Sequence, residues 1–146
     1  MPRIHASAAA HVPAPPARVF ALLSDYREGH PRILPPEYFD TLKVEAGGTG
    51  EGTRIRYAMR SFGRLRWAVA EVSEPEPGRV LVETDVDRGI VTTFTVDPDG
   101  AGSRVRIETA WNAPGLSGWM LRLLTPAFLR KVFAAELRLL AEVAGS

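Results

Sequence analysis

The stretch from Pro114 to Ala144 constrains this chain most. After Gly115 no cluster of turn formers interrupts it. Apolar residues recur every three or four positions: Leu116, Trp119, Met120 and Leu123, then Leu129, Val132, Phe133, Leu137 and Leu140. That spacing predicts a helix. About thirty helical residues would make a rod of roughly 45 Å. Such a rod exceeds what one packing contact requires, so it is expected to lie diagonally across a broad surface. Pro126 has no N–H to offer the Arg122 carbonyl, which predicts a kink or break between Leu124 and Ala127.

The middle of the chain supplies the broad surface. Arg3 to Val12 reads as a first strand, weakened by Ala8, Ala9 and Ala10. Pro13-Ala14-Pro15-Pro16 then opens a short helix over Ala17 to Ser24, because proline is tolerated in a first helical turn. Asp25-Tyr26 is placed to cap a second short helix ending near His30-Pro31. Strands are predicted over Tyr38–Glu45, Thr53–Arg60, Leu65–Val72, Arg79–Thr84, Ile90–Val96 and Arg104–Trp111. Short turns rich in glycine, proline and aspartate separate them, and none is long enough for a crossover helix. The pairing should therefore be antiparallel.

Alternation divides these strands into two faces. Ile55, Tyr57 and Met59 oppose Arg54, Arg56 and Arg60, and Leu65, Trp67 and Val69 oppose Arg64, Arg66 and Ala68. Val105, Ile107, Thr109 and Trp111 share the apolar face of the last strand. One face of the sheet is expected to be dry, and only the C-terminal helix offers enough apolar surface to cover it. A bent sheet touches a single rod along a line rather than a plane. The gap is either filled by Tyr57, Met59, Trp67, Phe94 and Trp111 or left as a cavity. Glu136 falls near the middle of the helix's apolar half. A carboxylate there must be paired, protonated or wet, so it either makes a structural hydrogen bond or faces a ligand.

Composition narrows the chemistry. A chain of 146 residues suffices for one domain, spanning residues 1–146. Cysteine is absent, which removes disulfides, thiol nucleophiles and thiolate metal sites and fits a reducing, cytoplasmic compartment. No signal segment or apolar run of membrane-spanning length is present. The formal charge of +1 gives no reason to expect nucleic acid. Arg54, Arg56, Arg60, Arg64 and Arg66, with Arg104 and Arg106, are read as a solvated sheet face interspersed with glutamates, the other reading being a surface for nucleic acid or acidic lipid. His5, His11 and His30 lack ligand spacing, so no metal is expected. Gly48, Gly50 and Gly52 lead into a strand rather than a helix and read as a turn, not a phosphate loop. No serine has a nucleophile-elbow context. Asp25 and His30 are close enough in sequence to meet as an acid–base pair, but the preferred reading is a cap for Asp25 and a corner role for His30. Acid–base work by Tyr57, Glu136 and Arg122 around an apolar substrate also stays open.

Several segments, in this order, carry a family resemblance. They are the opening strand with Pro13-Ala14-Pro15-Pro16-Ala17-Arg18-Val19-Phe20-Ala21-Leu22-Leu23-Ser24-Asp25-Tyr26, then His30-Pro31-Arg32-Ile33-Leu34-Pro35, then Gly47-Gly48-Thr49-Gly50-Glu51-Gly52-Thr53. The closing segment is Leu129-Arg130-Lys131-Val132-Phe133-Ala134-Ala135-Glu136-Leu137-Arg138-Leu139-Leu140. Together they resemble the Bet v 1-like, START-related superfamily, and within it the bacterial polyketide cyclase/dehydrase-like (SRPBCC) branch. The resemblance implies an α+β helix-grip fold: a curved seven-stranded antiparallel sheet round a long C-terminal helix, with two short helices after the first strand. It implies an apolar cavity for a small hydrophobic molecule such as a lipid, isoprenoid, quinone or polyketide, bound or transported without a cofactor or stable membrane insertion. The alternative it implies is a cyclase or dehydrase acting in the same cavity. A third class, a protein-interaction module, would show a filled core instead. These motifs are scaffold motifs and transfer no catalytic set. By place in the fold the expected wall is Tyr57, Met59, Trp67, Phe94, Trp111, Met120, Phe133 and Glu136, with Phe62, Leu116 and Trp119 at the entrance. The oligomeric state is left open.

Overall fold

The computed structural model describes residues 3–61, 63–112 and 125–146. In chain order the elements are β1 (Arg3–Val12), α1 (Pro16–Ser24), a 3-10 turn (His30–Ile33), β2 (Phe39–Ala46), β3 (Arg54–Ser61), β4 (Arg64–Glu76), β5 (Val80–Asp85), β6 (Val91–Asp99), β7 (Gly102–Asn112) and α2 (Pro126–Gly145). The strands form one curved, wholly antiparallel sheet in the order β1-β7-β6-β5-β4-β3-β2. This is the helix-grip arrangement. The second short helical piece is the single turn at His30–Ile33, slightly later than the expected Asp25 to Pro31.

Local chemistry explains the joints. Pro16 occupies the first turn of α1, where its missing N–H costs nothing. Asp25 ends that helix and turns the chain, its Oδ1 accepting the N–H groups of Arg27 and Glu28, each at 3.1 Å. The glycine turn after β2 is clamped onto the same corner. Tyr26 N–H donates to the Gly48 carbonyl and Gly50 N–H to the Ser24 carbonyl, both at 2.9 Å. Gly50 has φ 59°, a backbone conformation that favours glycine, and a Cβ there would also displace the Glu74 carboxylate.

The alanines that weaken β1 as a strand serve its packing. Ala6, Ala8, Ala10 and Val12 fall on the face that meets α2, and their small side chains let the helix approach closely. Helix α2 buries Leu129, Val132, Phe133, Glu136, Leu137 and Leu140. Its C-terminal carbonyls are capped from α1: Arg18 Nε donates to the Ala144 carbonyl at 2.7 Å and Arg18 Nη2 to that of Ser146 at 3.1 Å.

Two expectations are corrected. The helix does not run unbroken from Gly115, because Thr125 is extended (φ −64°, ψ 140°) and Pro126 starts a new first turn. The 20 residues of α2 span about 30 Å, not 45 Å, and residues 113–124 lie outside the described residues. The break expected at Pro126 is therefore present.

The second correction concerns β4. Its register pairs Ile55 with Ala70, Tyr57 with Ala68 and Met59 with Arg66. That places Arg66, Ala68, Ala70 and Val72 on the concave face and turns Leu65, Trp67 and Val69 to the convex one. Leu65 and Trp67 are exposed accordingly, at 41% and 43%. The physical reason is that β4 carries apolar residues in both phases. Ala70 and Val72 are buried in the core, and strand alternation then fixes the rest. Arg66 leaves the expected arginine face as a result. On that face Arg54 pairs with Glu45 and Glu71, Arg56 with Glu45, and Arg60 with Asp40. Among the described residues no helix is long and apolar enough to cross a membrane.

Candidate functional site

Sheet curvature leaves space between the concave face and α2. A cavity of about 110 Å³ lies there. One water occupies roughly 10–15 Å³ on this scale, so the void exceeds one or two waters and the hollow reading holds over the filled one. Carbon dominates its wall, from Phe39 and Leu42 of β2, Ile55 and Met59 of β3, Ala68 and Ala70 of β4, Phe94 of β6, and Leu129, Val132 and Phe133 of α2. Tyr57, Met59, Phe39 and Leu42 are only half-buried although they face inward, because they look into the void.

The polar groups concentrate where β5 meets the 3-10 turn and α2. Leu81, Glu83 and Asp85 alternate onto the concave side of β5, with Leu81 paired to Phe94 and Glu83 to Thr92. Tyr26 Oη donates to Glu83 Oε2 at 2.6 Å. His30 is buried, stacked on Tyr26 at 4.5 Å and edge-on to Phe94 at 5.5 Å. Its Nδ1 lies 2.7 Å from the Leu23 carbonyl, which can only accept, so Nδ1 carries the proton. Its Nε2 faces Glu83 Oε2 at 3.7 Å, beyond a direct hydrogen bond. Asp85 is fully engaged, by Arg88 Nη1 at 2.9 Å and by the N–H groups of Asp87 and Arg88. Thr92 and Thr109 hydroxyls bond to each other at 2.8 Å.

Glu136 reaches this region from α2. It is 4% exposed and lines the cavity. Among the described residues it has neither a hydrogen-bond nor an ion-pair partner. Burial, and then the charge of Glu83, push its carboxyl well above the usual range and favour the protonated form. Tyr57 is raised by burial first and then by the Glu83 and Asp85 carboxylates, so its phenol stays neutral. Tyr26 is raised by burial and by Glu83. The cavity thus offers a proton donor on α2 and a carboxylate on β5, with a neutral phenol nearby. Among the described residues no group of three or more histidines and carboxylates is placed to hold a metal ion.

Of the residues expected at the wall, Tyr57, Met59, Phe94, Phe133 and Glu136 line the cavity. Trp67 borders it, although its register pairs it with convex Ala58. Trp111 is buried two positions beyond Thr109 and does not reach the void. Met120, Phe62, Leu116, Trp119 and Arg122 lie outside the described residues. Asp25 and His30 do not form an acid–base pair: Asp25 caps the corner and His30 turns toward Glu83. Glu83, Asp85, Arg88 and Arg66 escaped the sequence reading as cavity residues. The signal for Glu83 and Asp85 was their phase with Leu81.

The comparisons agree with this architecture. The solution structure of the KanY protein is 28% identical to this chain, with 100% of each chain covered and a TM-score of 0.84. The protein TTHA0849 from Thermus thermophilus is 25% identical over 98% of this chain and 99% of its own, with a TM-score of 0.78. The ZhuI aromatase/cyclase from Streptomyces sp. R1128 is 17% identical over 99% and 94%, with a TM-score of 0.79, a likeness of fold alone. No curated protein matches. A family model described as polyketide cyclase/dehydrase and lipid transport matches residues 3–145. With the sheet, the gripped helix and the cavity all in place over that span, the chain belongs to the polyketide cyclase/dehydrase and lipid transport family.

Proposed function

We propose that this protein binds a small, mostly apolar molecule in the cavity between the sheet and α2, with the guest's polar end at Glu136. The observation that carries this reading is a buried carboxyl, without a partner among the described residues, facing a cavity whose wall is mostly carbon. Burying such a group unsatisfied costs about 1–3 kcal/mol, and a guest that hydrogen-bonds it removes that cost. The void of about 110 Å³ is of the same order as the roughly 150 Å³ that holds one benzene ring, which makes single-ring compounds the first probes. The test is an amide-resonance NMR titration with toluene and benzyl alcohol. Saturable shifts are expected at Ile55, Tyr57, Ala70, Phe94 and Phe133. Ala68→Phe, which adds a ring to the wall, should abolish them. Shifts that do not saturate, or that persist in Ala68→Phe, would remove the proposal.

A second reading is favoured by one observation: Glu83 is oriented by Tyr26 while Glu136 faces the same void as a proton donor. A proton acceptor and a donor flanking one guest are what cyclase- or dehydrase-type acid–base chemistry requires. Under this reading Glu83→Gln stops turnover of a poly-β-ketone surrogate while leaving toluene binding intact. Equal turnover by both proteins would discard it.

A further inference from the structure

The polar end of the cavity is unbalanced in charge. Three carboxyls, Glu83, Asp85 and Glu136, line it against one nearby guanidinium, Arg88. Arg88 is committed to Asp85 at 2.9 Å. Glu83 receives only a neutral phenol from Tyr26, and His30 Nε2 stands 3.7 Å away. Glu136 has no partner among the described residues. The other cationic wall residue, Arg66, sits beside Met59 toward the β3–β4 hairpin. Val72 is the β4 residue opposite Glu83, and Arg66 is roughly 20 Å from it along the strand. Two carboxyls on opposite walls, β5 and α2, therefore face one void with no lysine or arginine between them among the described residues, and His30 Nε2 stands beyond hydrogen-bond range of Glu83.

We propose that the guest carries a basic nitrogen, held as an ammonium group between Glu83 and Glu136 with its apolar body against Ile55, Phe94 and Phe133. This rests on the ligand-binding reading above and specifies its chemistry. A carbonyl guest accepts from the Glu136 acid alone and leaves Glu83 as it was, while a hydroxyl guest can accept from Glu136 and donate to Glu83. A carboxylate guest meets repulsion from Glu83 in a site of low dielectric. A cation donates to both walls, and with both carboxyls ionised each contact is a charge-assisted hydrogen bond, roughly twice as strong as a neutral one. In the empty cavity Glu136 keeps its proton because of burial and Glu83. A bound ammonium reverses that balance, so Glu136 gives up its proton when the guest enters.

The experiment compares benzylamine, benzyl alcohol and benzoate, which share one ring, by NMR titration of the full chain at pH 7. Benzylamine is expected to bind at least about tenfold more tightly than benzyl alcohol, and benzoate more weakly than either. The side-chain carboxyl carbon of Glu136, observed with labelled glutamate, is expected to move to its ionised position with benzylamine alone. Glu136→Gln and Glu83→Gln should each bring the affinities for the amine and the alcohol within about twofold of each other. Equal affinity for amine and alcohol, or an amine that leaves the Glu136 carboxyl protonated, overturns the inference while the cavity reading survives. Failure of all three compounds to bind overturns both. The glutamine variants are close in shape to the protonated acid, and the amide spectrum of each unliganded variant reports that its fold is intact.

Discussion

Glu136→Gln tests the electrostatics of the cavity without any ligand. Glu136 is 4% exposed and faces Glu83 from α2. Its folded-state pKa is raised, by burial first and by the Glu83 charge second, above the ordinary value of 4.5 that it regains on unfolding. Above that pH the unfolded chain releases the proton and the folded chain retains it. The folded state then binds more protons, and stability falls as pH rises. The stabilising contribution of the proton is complete below about pH 4.5 and declines by about 1.4 kcal/mol per pH unit until the folded carboxyl itself ionises. Glutamine fills nearly the same space and cannot ionise. The unfolding free energy of the variant should therefore gain on that of the native protein by up to about 1.4 kcal/mol for each pH unit above about 4.5. Groups that titrate alike in both proteins cancel in the difference. Urea unfolding followed by tryptophan fluorescence at pH 4, 5, 6 and 7 measures it, with the urea slope as a check on unchanged compactness. A difference independent of pH, or one that grows in favour of the native protein, would refute the assignment of Glu136 as a buried, unpaired acid. Glu83→Gln provides the internal control. It removes the secondary cause and leaves burial, so the pH-dependent window should become narrower without vanishing.

Two stability predictions follow from neighbouring contacts. Tyr26→Phe keeps the stack on His30 but deletes the 2.6 Å donor to Glu83, and urea unfolding should show a loss of about 1–3 kcal/mol; an unchanged midpoint would mean that Glu83 finds another donor. Gly29→Ala would drive a Cβ into the backbone carbonyl of Leu22 at the end of α1. Because backbone cannot swing aside as a side chain can, a loss of about 1–3 kcal/mol is expected, and a thermal midpoint equal to that of the native protein would contradict it.

The fold was legible because its signals are redundant. From β2 to β7 the strands are separated by turn residues over intervals too short for a crossover, so these neighbours had to pair antiparallel; β1, set apart from β2 by α1 and the 3-10 turn, pairs with β7 instead. The helix pattern at Leu129, Val132, Phe133, Leu137 and Leu140 repeats over several turns and tolerates one error. Glu136 was legible for the same reason: it interrupts a long apolar arc, and only one wheel position fits it. The extent of the helix was less legible: Pro126 signalled a kink or a break, apolar spacing continues upstream of it, and the extended Thr125 shows that α2 begins there.

Site residues on β4 and β5 were hidden by a different cause. In β5, Val80 and Val82 mark one phase while Leu81, Glu83 and Asp85 occupy the other, so local hydrophobicity selects the wrong face as the dry one. The tie is broken only by a partner strand, through the pairing of Leu81 with Phe94. In β4 the large side chains Leu65 and Trp67 outweigh Ala68 and Ala70 on any local scale, yet the alanines face inward because Ala70 and Val72 join the core. Small residues on β4 and carboxylates on β5 thus take concave positions that a fully packed core would give to larger apolar side chains. The two departures coincide in space. Alanines make the room and carboxylates furnish its polar end, so the strands that fit the amphipathic rule worst are those that build the cavity.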